Sequence, residues 1–144
     1  MKIKVLLVMP GKEVQTVKIP ANMKFIKSLI GENLFQIKLN DNTIIISNRD
    51  ANVEEFNRLL GDNIIFGTFL IISKKNNRRT SMNKKDLRRY ANMFKLRKHQ
   101  KKIEIYKNEY LEEYYSFQRR MKQENAKRNE EQIFDLAAWG KEEF

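Results

Sequence analysis

The chain contains no cysteine, so disulfides, thiolate nucleophiles and thiolate metal ligands are excluded. Histidine occurs once, at His99, and no nucleophile with an orienting acid surrounds it in the way a Ser-His-Asp set requires. Its neighbours are cationic and disfavour its protonation, so it reads as a polar surface residue rather than a base. The five glycines, Gly11, Gly31, Gly61, Gly67 and Gly140, are scattered and form no phosphate-cradling loop. Carboxylates do not cluster either, since Glu54, Glu55 and Asp62 read more simply as capping groups and surface charge. No apolar run approaches the ~18 residues of a membrane span. The apolar stretch Val5–Met9 is too short for the core of a secretion signal. These absences predict a protein that is not an enzyme. They also predict no catalytic residues, no metal, no cofactor, no membrane association and no small-molecule ligand.

What the chain has in excess is positive charge. Over 144 residues, 29 Lys and Arg face 18 Asp and Glu, a net +11. The surplus is concentrated. Residues 1–73 hold nine basic and seven acidic side chains, and residues 104–144 hold seven and ten. Between them, residues 74–103 hold thirteen basic side chains and a single acid, Asp86. A block of one sign attracts polyanions: nucleic acid, a nucleoprotein or an acidic protein surface. A solvated face is the plain alternative, although such faces ordinarily mix signs.

Apolar patterning divides the chain. Lys2–Met9 and Glu13–Ile19, separated by Pro10-Gly11, predict a hairpin. Asn22 can cap a short helix through Ile30, with Gly31 as its stop. Leu34–Leu39 and Thr43–Ser47 predict a second hairpin around Asn40-Asp41-Asn42. Asn52 with Glu55 reads as a capping box for a short helix ending at Gly61, and Asn63–Ser73 as a central strand. The expected fold is α+β: a small mixed-sheet ββαββ(α)β domain, β-grasp-like, over residues 1–73 that folds alone. A basic linker (74–82), a helical extension (83–131) and an apolar C-terminal segment (132–144) are expected to follow it.

From Asn83 to Trp139 there is neither glycine nor proline, which predicts a long helical region. Asn83 is its expected cap, with Asp86 in the first turn and Met82 stapled onto Leu87. Leu87, Tyr90 and Phe94 share one face, whereas Ile103, Tyr106, Tyr110, Tyr114, Phe117 and Met121 form a stripe out of phase with it. The mismatch predicts a break near 98–102, with the first helix docked on the domain. The candidate polyanion-binding residues are Arg78, Arg79, Lys84, Lys85, Arg88, Arg89, Lys95, Arg97, Lys98, Lys101 and Lys102. On one continuous helix, Lys84, Arg88, Lys95, Lys98 and Lys102 would form a row suited to phosphates, with Tyr90 and Phe94 beside them to stack on unpaired bases. The aromatic stripe, with Phe134 and Trp139, is the candidate surface for homo-oligomerisation or a protein partner.

The pattern Asn57-Arg58-x-x-Gly61-Asp62-x-Ile64-x-x-Gly67-Thr68-Phe69, with the opening VLLVMPGKE, resembles domain of unknown function 3846 over residues ~1–73. That family occurs in phages, plasmids and conjugative elements, often of Firmicutes. Read physically, Gly61 and Asp62 make a turn, Gly67 marks a bulge or a close backbone approach, and Arg58 can pair with Asp62. The resemblance implies a mobile-element binding protein in the cytoplasm of a bacterial host cell. Such a protein is expected to inhibit a nucleic-acid-directed defence system, of restriction or CRISPR type, by contacting nucleic acid or a host nucleoprotein or protein complex. The alternative is a structural module whose Tyr-rich helix and C-terminal segment bind a protein partner.

Overall fold

A computed structural model describes residues 1–139, with side chains through Glu124 and at Ala126. The fold is α+β. Its elements run β1 (Lys2–Val8), β2 (Gln15–Pro20), α1 (Met23–Ile30), β3 (Leu34–Asn40), β4 (Thr43–Asn48), β5 (Phe56–Leu60), β6 (Asn63–Phe66), β7 (Phe69–Lys75), β8 (Arg78–Thr80), α2 (Lys84–Met93) and α3 (Leu96–Trp139). Two units result, Met1–Lys107 and Asn108–Phe144.

The main sheet has the order β2-β1-β7-β4-β3, with β8 added to β7, and every pairing in it is antiparallel. β7 takes the middle, as the last strand of a β-grasp sheet does, but it runs antiparallel to β1. The most apolar strand therefore lies where both of its faces are covered. Alternation along β1, β4 and β7 sends side chains to two separate cores. Ile3, Val5, Leu7, Ile44, Ile46, Leu70 and Ile72 pack with Ile26 and Ile30 of α1. Leu6, Val8, Ile45, Phe69 and Ile71 pack on the other side with Ile65, Met82, Tyr90 and Phe94. The first unit is a three-layer sandwich, helix on one face and hairpin plus helix on the other.

Local chemistry accounts for the turns. The Asn22 side chain accepts from the Phe25 amide at 2.7 Å and starts α1 as expected. Asn76 and Asn77 occupy the two loop positions of the β7–β8 hairpin with φ of 52° and 61°, the pairing a type I′ turn requires.

Three expectations are corrected. Residues 52–60 form no helix: Asn52 makes an Asx turn onto the Glu54 amide, and Phe56–Leu60 is strand β5. The hairpin wins because Phe56 and Phe66 meet edge to face at 5.1 Å and the Gly67 amide donates to the Glu55 carbonyl. The strand foreseen at Asn63–Ser73 is two strands, divided at Gly67, where φ is 72° and a Cβ would come 3.0 Å from that of Ala51. Residues 74–82 are no linker: they close β7, form β8 and reach β1. Ser81 Oγ accepts from the Lys4 amide, and the Met82 amide donates to the Lys4 carbonyl.

The compact unit therefore does not end at Ser73. A chain ending there would lose β8 and, from the second core, Met82, Tyr90 and Phe94, which are at most 3% exposed. Truncation of a buried Phe alone costs about 3–5 kcal/mol, a large part of the total stability of a domain this size. A fragment 1–73 is expected to give a collapsed amide spectrum, and a fragment 1–107 a dispersed one with a cooperative thermal transition.

Candidate nucleic-acid interface

The basic block is built on α2. The Asn83 side chain accepts from the Asp86 amide at 2.8 Å, so the expected cap forms, and Met82 and Leu87 both belong to the second core. Leu87, Tyr90, Ala91 and Phe94 turn inward onto the sheet. Tyr90 is further fixed by the Asn40 side-chain amide, which donates to its hydroxyl. With the apolar side committed, the polar side chains point outward. Lys84, Lys85, Arg88, Arg89 and Lys95, with Ala91 and Asn92, surround an open hollow of about 700 Å³. None of these five cations has an ion-pair partner among the described residues, where the pair Lys38–Asp41 is a different one.

Burial of Tyr90 and Phe94 corrects the expectation that they would stack on bases, since both are closed to solvent. The five-cation row is also redrawn. The helix breaks at Phe94–Lys95, not at 98–102, so Lys84, Arg88 and Lys95 stand around the α2 hollow while Lys98 and Lys102 belong to α3. Arg97, Lys98, Lys101 and Lys102 are exposed on the first turns of that helix. Arg78 is exposed on β8, and Arg79 is drawn aside, its Nε donating to the Ala21 carbonyl at 2.8 Å.

The break has a cause in two residues. Arg58, 0% exposed, donates from Nε to the Phe94 carbonyl, from Nη1 to the Asn57 carbonyl and side-chain oxygen, and from Nη2 to the Lys12 carbonyl. It does not pair with Asp62. Its partners are carbonyl and amide oxygens, and burial lowers its pKa while nearby Glu13 works the other way. His99 is not the surface residue the sequence led us to expect. Its ring stacks on Phe94, Nε2 lies 2.8 Å from the Met93 carbonyl, and Nδ1 accepts from the Leu59 amide. A carbonyl can only accept, so the proton sits on Nε2 and the neutral ring satisfies both contacts. Together the two side chains occupy the last carbonyls of α2, where a cation also meets the negative end of the helix dipole.

The remaining motif residues are structural as well. The Asn57 amide donates to the Val8 and Gly67 carbonyls at 2.9 and 2.7 Å, tying β5 to β1 and to the turn before β7. Gly61, with φ of 62°, and Asp62 form the two-residue β5–β6 loop. Phe69 lies in the second core, and Thr68 stands half-buried beside Gly67.

The match to a known family model, Domain of unknown function (DUF3846), covers residues 1–95. The chain belongs to this family. The DUF3846 match runs past the ~73 residues of the sequence resemblance to the end of α2, so the family region includes the strand and helix that complete the second core. No curated protein and no solved structure matches the chain. Among the described residues, no three His, Asp or Glu side chains group as metal ligands, and no helix is long and apolar enough to cross a membrane.

Of the candidate association stripe, Ile103 and Tyr106 lie in the first unit. In the second, Tyr110 and Tyr114 stack at 6.4 Å, Phe117 is exposed and Met121 is half-buried. The side chains of Phe134 and Trp139 lie outside the described residues, as does the end of the apolar segment 132–144.

Two outcomes follow from the Arg58–His99 corner. Arg58→Met leaves the buried Phe94 carbonyl and the part-buried Lys12 carbonyl without this donor, and should lower stability in urea titrations by about 3 kcal/mol. His99 is held below its ordinary value of 6.5, first by burial and further by Arg58, Lys102 and Lys98, with the Met93 contact opposing. The native ring therefore binds fewer protons than the unfolded one. Its contribution is complete above pH 6.5 and is lost as pH falls below it. Denaturation midpoints measured down a pH series should fall less steeply over that window in His99→Asn than in the parent.

Proposed function

We propose that this DUF3846 protein is a non-catalytic binding protein that engages a polyanion, nucleic acid or a nucleoprotein, through the outer face of α2. One observation carries the reading: Lys84, Lys85, Arg88, Arg89 and Lys95 converge on one open surface with no ion-pair partner among the described residues. Leaving five cations unneutralised side by side costs mutual repulsion, which a polyanion relieves with release of its counterions. For a mobile-element protein, the nucleoprotein of a host defence system is a partner of that chemistry, and occupying it would inhibit it.

A second reading draws on the second unit. Tyr110, Tyr115 and Phe117 are 38–54% exposed there, which favours a protein partner that covers this aromatic helix.

Salt separates the two. Each cation around the hollow that meets a duplex phosphate should add about −0.9 to the slope of log K against log salt in fluorescence-anisotropy titrations, reaching about −4 to −5 if all five do so. The double reversal Lys85→Glu/Arg88→Glu should abolish binding at moderate salt with an unchanged thermal transition, because both side chains are exposed. Binding that is insensitive to salt and to this reversal would move the function to the aromatic helix.

A further inference from the structure

We propose that α2 is a reader of duplex DNA that lies in the major groove, with Arg88 and Asn92 at the base edges and Lys84 and Lys95 on the phosphates. The inference deepens the polyanion reading of the same face and rests on it.

One observation of this face and two general constraints of groove geometry select the duplex. Proteins that hold single strands offer aromatic rings on which unpaired bases stack. Here the helix's two rings, Tyr90 and Phe94, are spent in the core, and the exposed apolar side chain of α2 is Met93, which has no π-face. An α-helix with its side chains is ~10–12 Å across, which matches the ~12 Å major groove of B-form DNA. The major groove of A-form RNA is deep and too narrow to be read by side chains, so an α2 face of this kind has no equivalent seat there.

The arrangement of the face separates base contacts from phosphate contacts. Arg88 and Asn92 are one helical turn apart, and both are exposed. Neither side chain makes a hydrogen bond to another described residue, whereas Arg79 and Arg58 are committed to carbonyls. Arg and Asn are the side chains that make bidentate contacts with guanine and adenine in the major groove. Lys84 begins α2 and Lys95 follows its end, so the two line the hollow from either end of the helix, where point charges suit backbone phosphates. Arg89 is set apart from this division by its place 5.6 Å above the Tyr90 ring. The helix is also pinned at both ends, by the Asn83 cap and by the Arg58–His99 corner, so binding orders few new degrees of freedom.

The test uses the full chain. A randomised duplex DNA pool is selected for binding. Affinities are then measured for the enriched duplex, a scrambled duplex, duplex RNA and single-stranded DNA of the same length, and poly-glutamate. We expect an enriched short site, bound at least about tenfold more tightly as duplex DNA than as RNA or single strand. Arg88→Ala and Asn92→Ala should each reduce the preference for that site by about 5- to 150-fold, the equivalent of one lost bidentate contact. Lys84→Ala and Lys95→Ala should each reduce the salt slope by about 0.9 and leave the preference unchanged. Equal affinity for RNA or single strands, no enriched site, or a preference untouched in both Arg88→Ala and Asn92→Ala would overturn the major-groove assignment while leaving the polyanion reading in place. So would binding to poly-glutamate alone. Binding to none of these polyanions at low salt would overturn both.

Discussion

The joint between the β5–β6 hairpin and α2 hangs on one buried guanidinium. Arg58 reaches from β5 to the loop after β1 and to the last turn of α2, and its donors are spent on oxygens of the chain itself. An arginine suits this place because its planar fork serves several acceptors at once, which a lysine ammonium cannot do with the same geometry. A buried cation is costly unless its hydrogen bonds are complete, so the surroundings must be built to the side chain. The Asn57 side chain shows the consequence, since its oxygen serves Arg58 while its amide holds Val8 and Gly67. The family pattern around Asn57 and Arg58 is therefore understood as the wiring of a joint rather than as a reaction centre.

That joint decides what α2 can display. With its C-terminal carbonyls held by Arg58 and His99 and its rings sunk into the second core, the helix cannot roll to hide its charges. The lysines and arginines are left on the outside because the inside is already full. In this sense packing and charge display are one decision, taken at Leu87, Tyr90 and Phe94.

Much of this could be read before the structure. The hairpins, the caps at Asn22 and Asn83, the docking of Leu87, Tyr90 and Phe94 and the concentration of charge all follow from local rules. β5 was hidden because Asn57 and Arg58 are buried polar residues, which periodicity scores as exposed, and because an Asx turn at Asn52 imitates a capping box. β8 was hidden because a strand of three residues with two arginines looks like any basic connector, and the Asn76-Asn77 turn signal passed unread. The break in the helical region was foreseen from the two apolar stripes but placed four residues late. Its position is fixed by Arg58, thirty-six residues upstream, and no local pattern reports a partner at that distance. His99 was misjudged for the same reason: its charged neighbours are local, and its two hydrogen-bond partners include one forty residues away.

The outer strands β2 and β3 carry a further consequence. Each offers an unpaired row of backbone amides and carbonyls to any passing extended chain. On β2 that row holds the exposed Lys18 and ends at Pro20, which has no amide to give. On β3 it carries the exposed Lys38, after which the register slips before Asn40. Both margins are thus poor templates for lengthening the sheet. The central strand opens with four consecutive apolar residues, Phe69 to Ile72, and a rim of this kind works against copies of the sheet joining edge to edge.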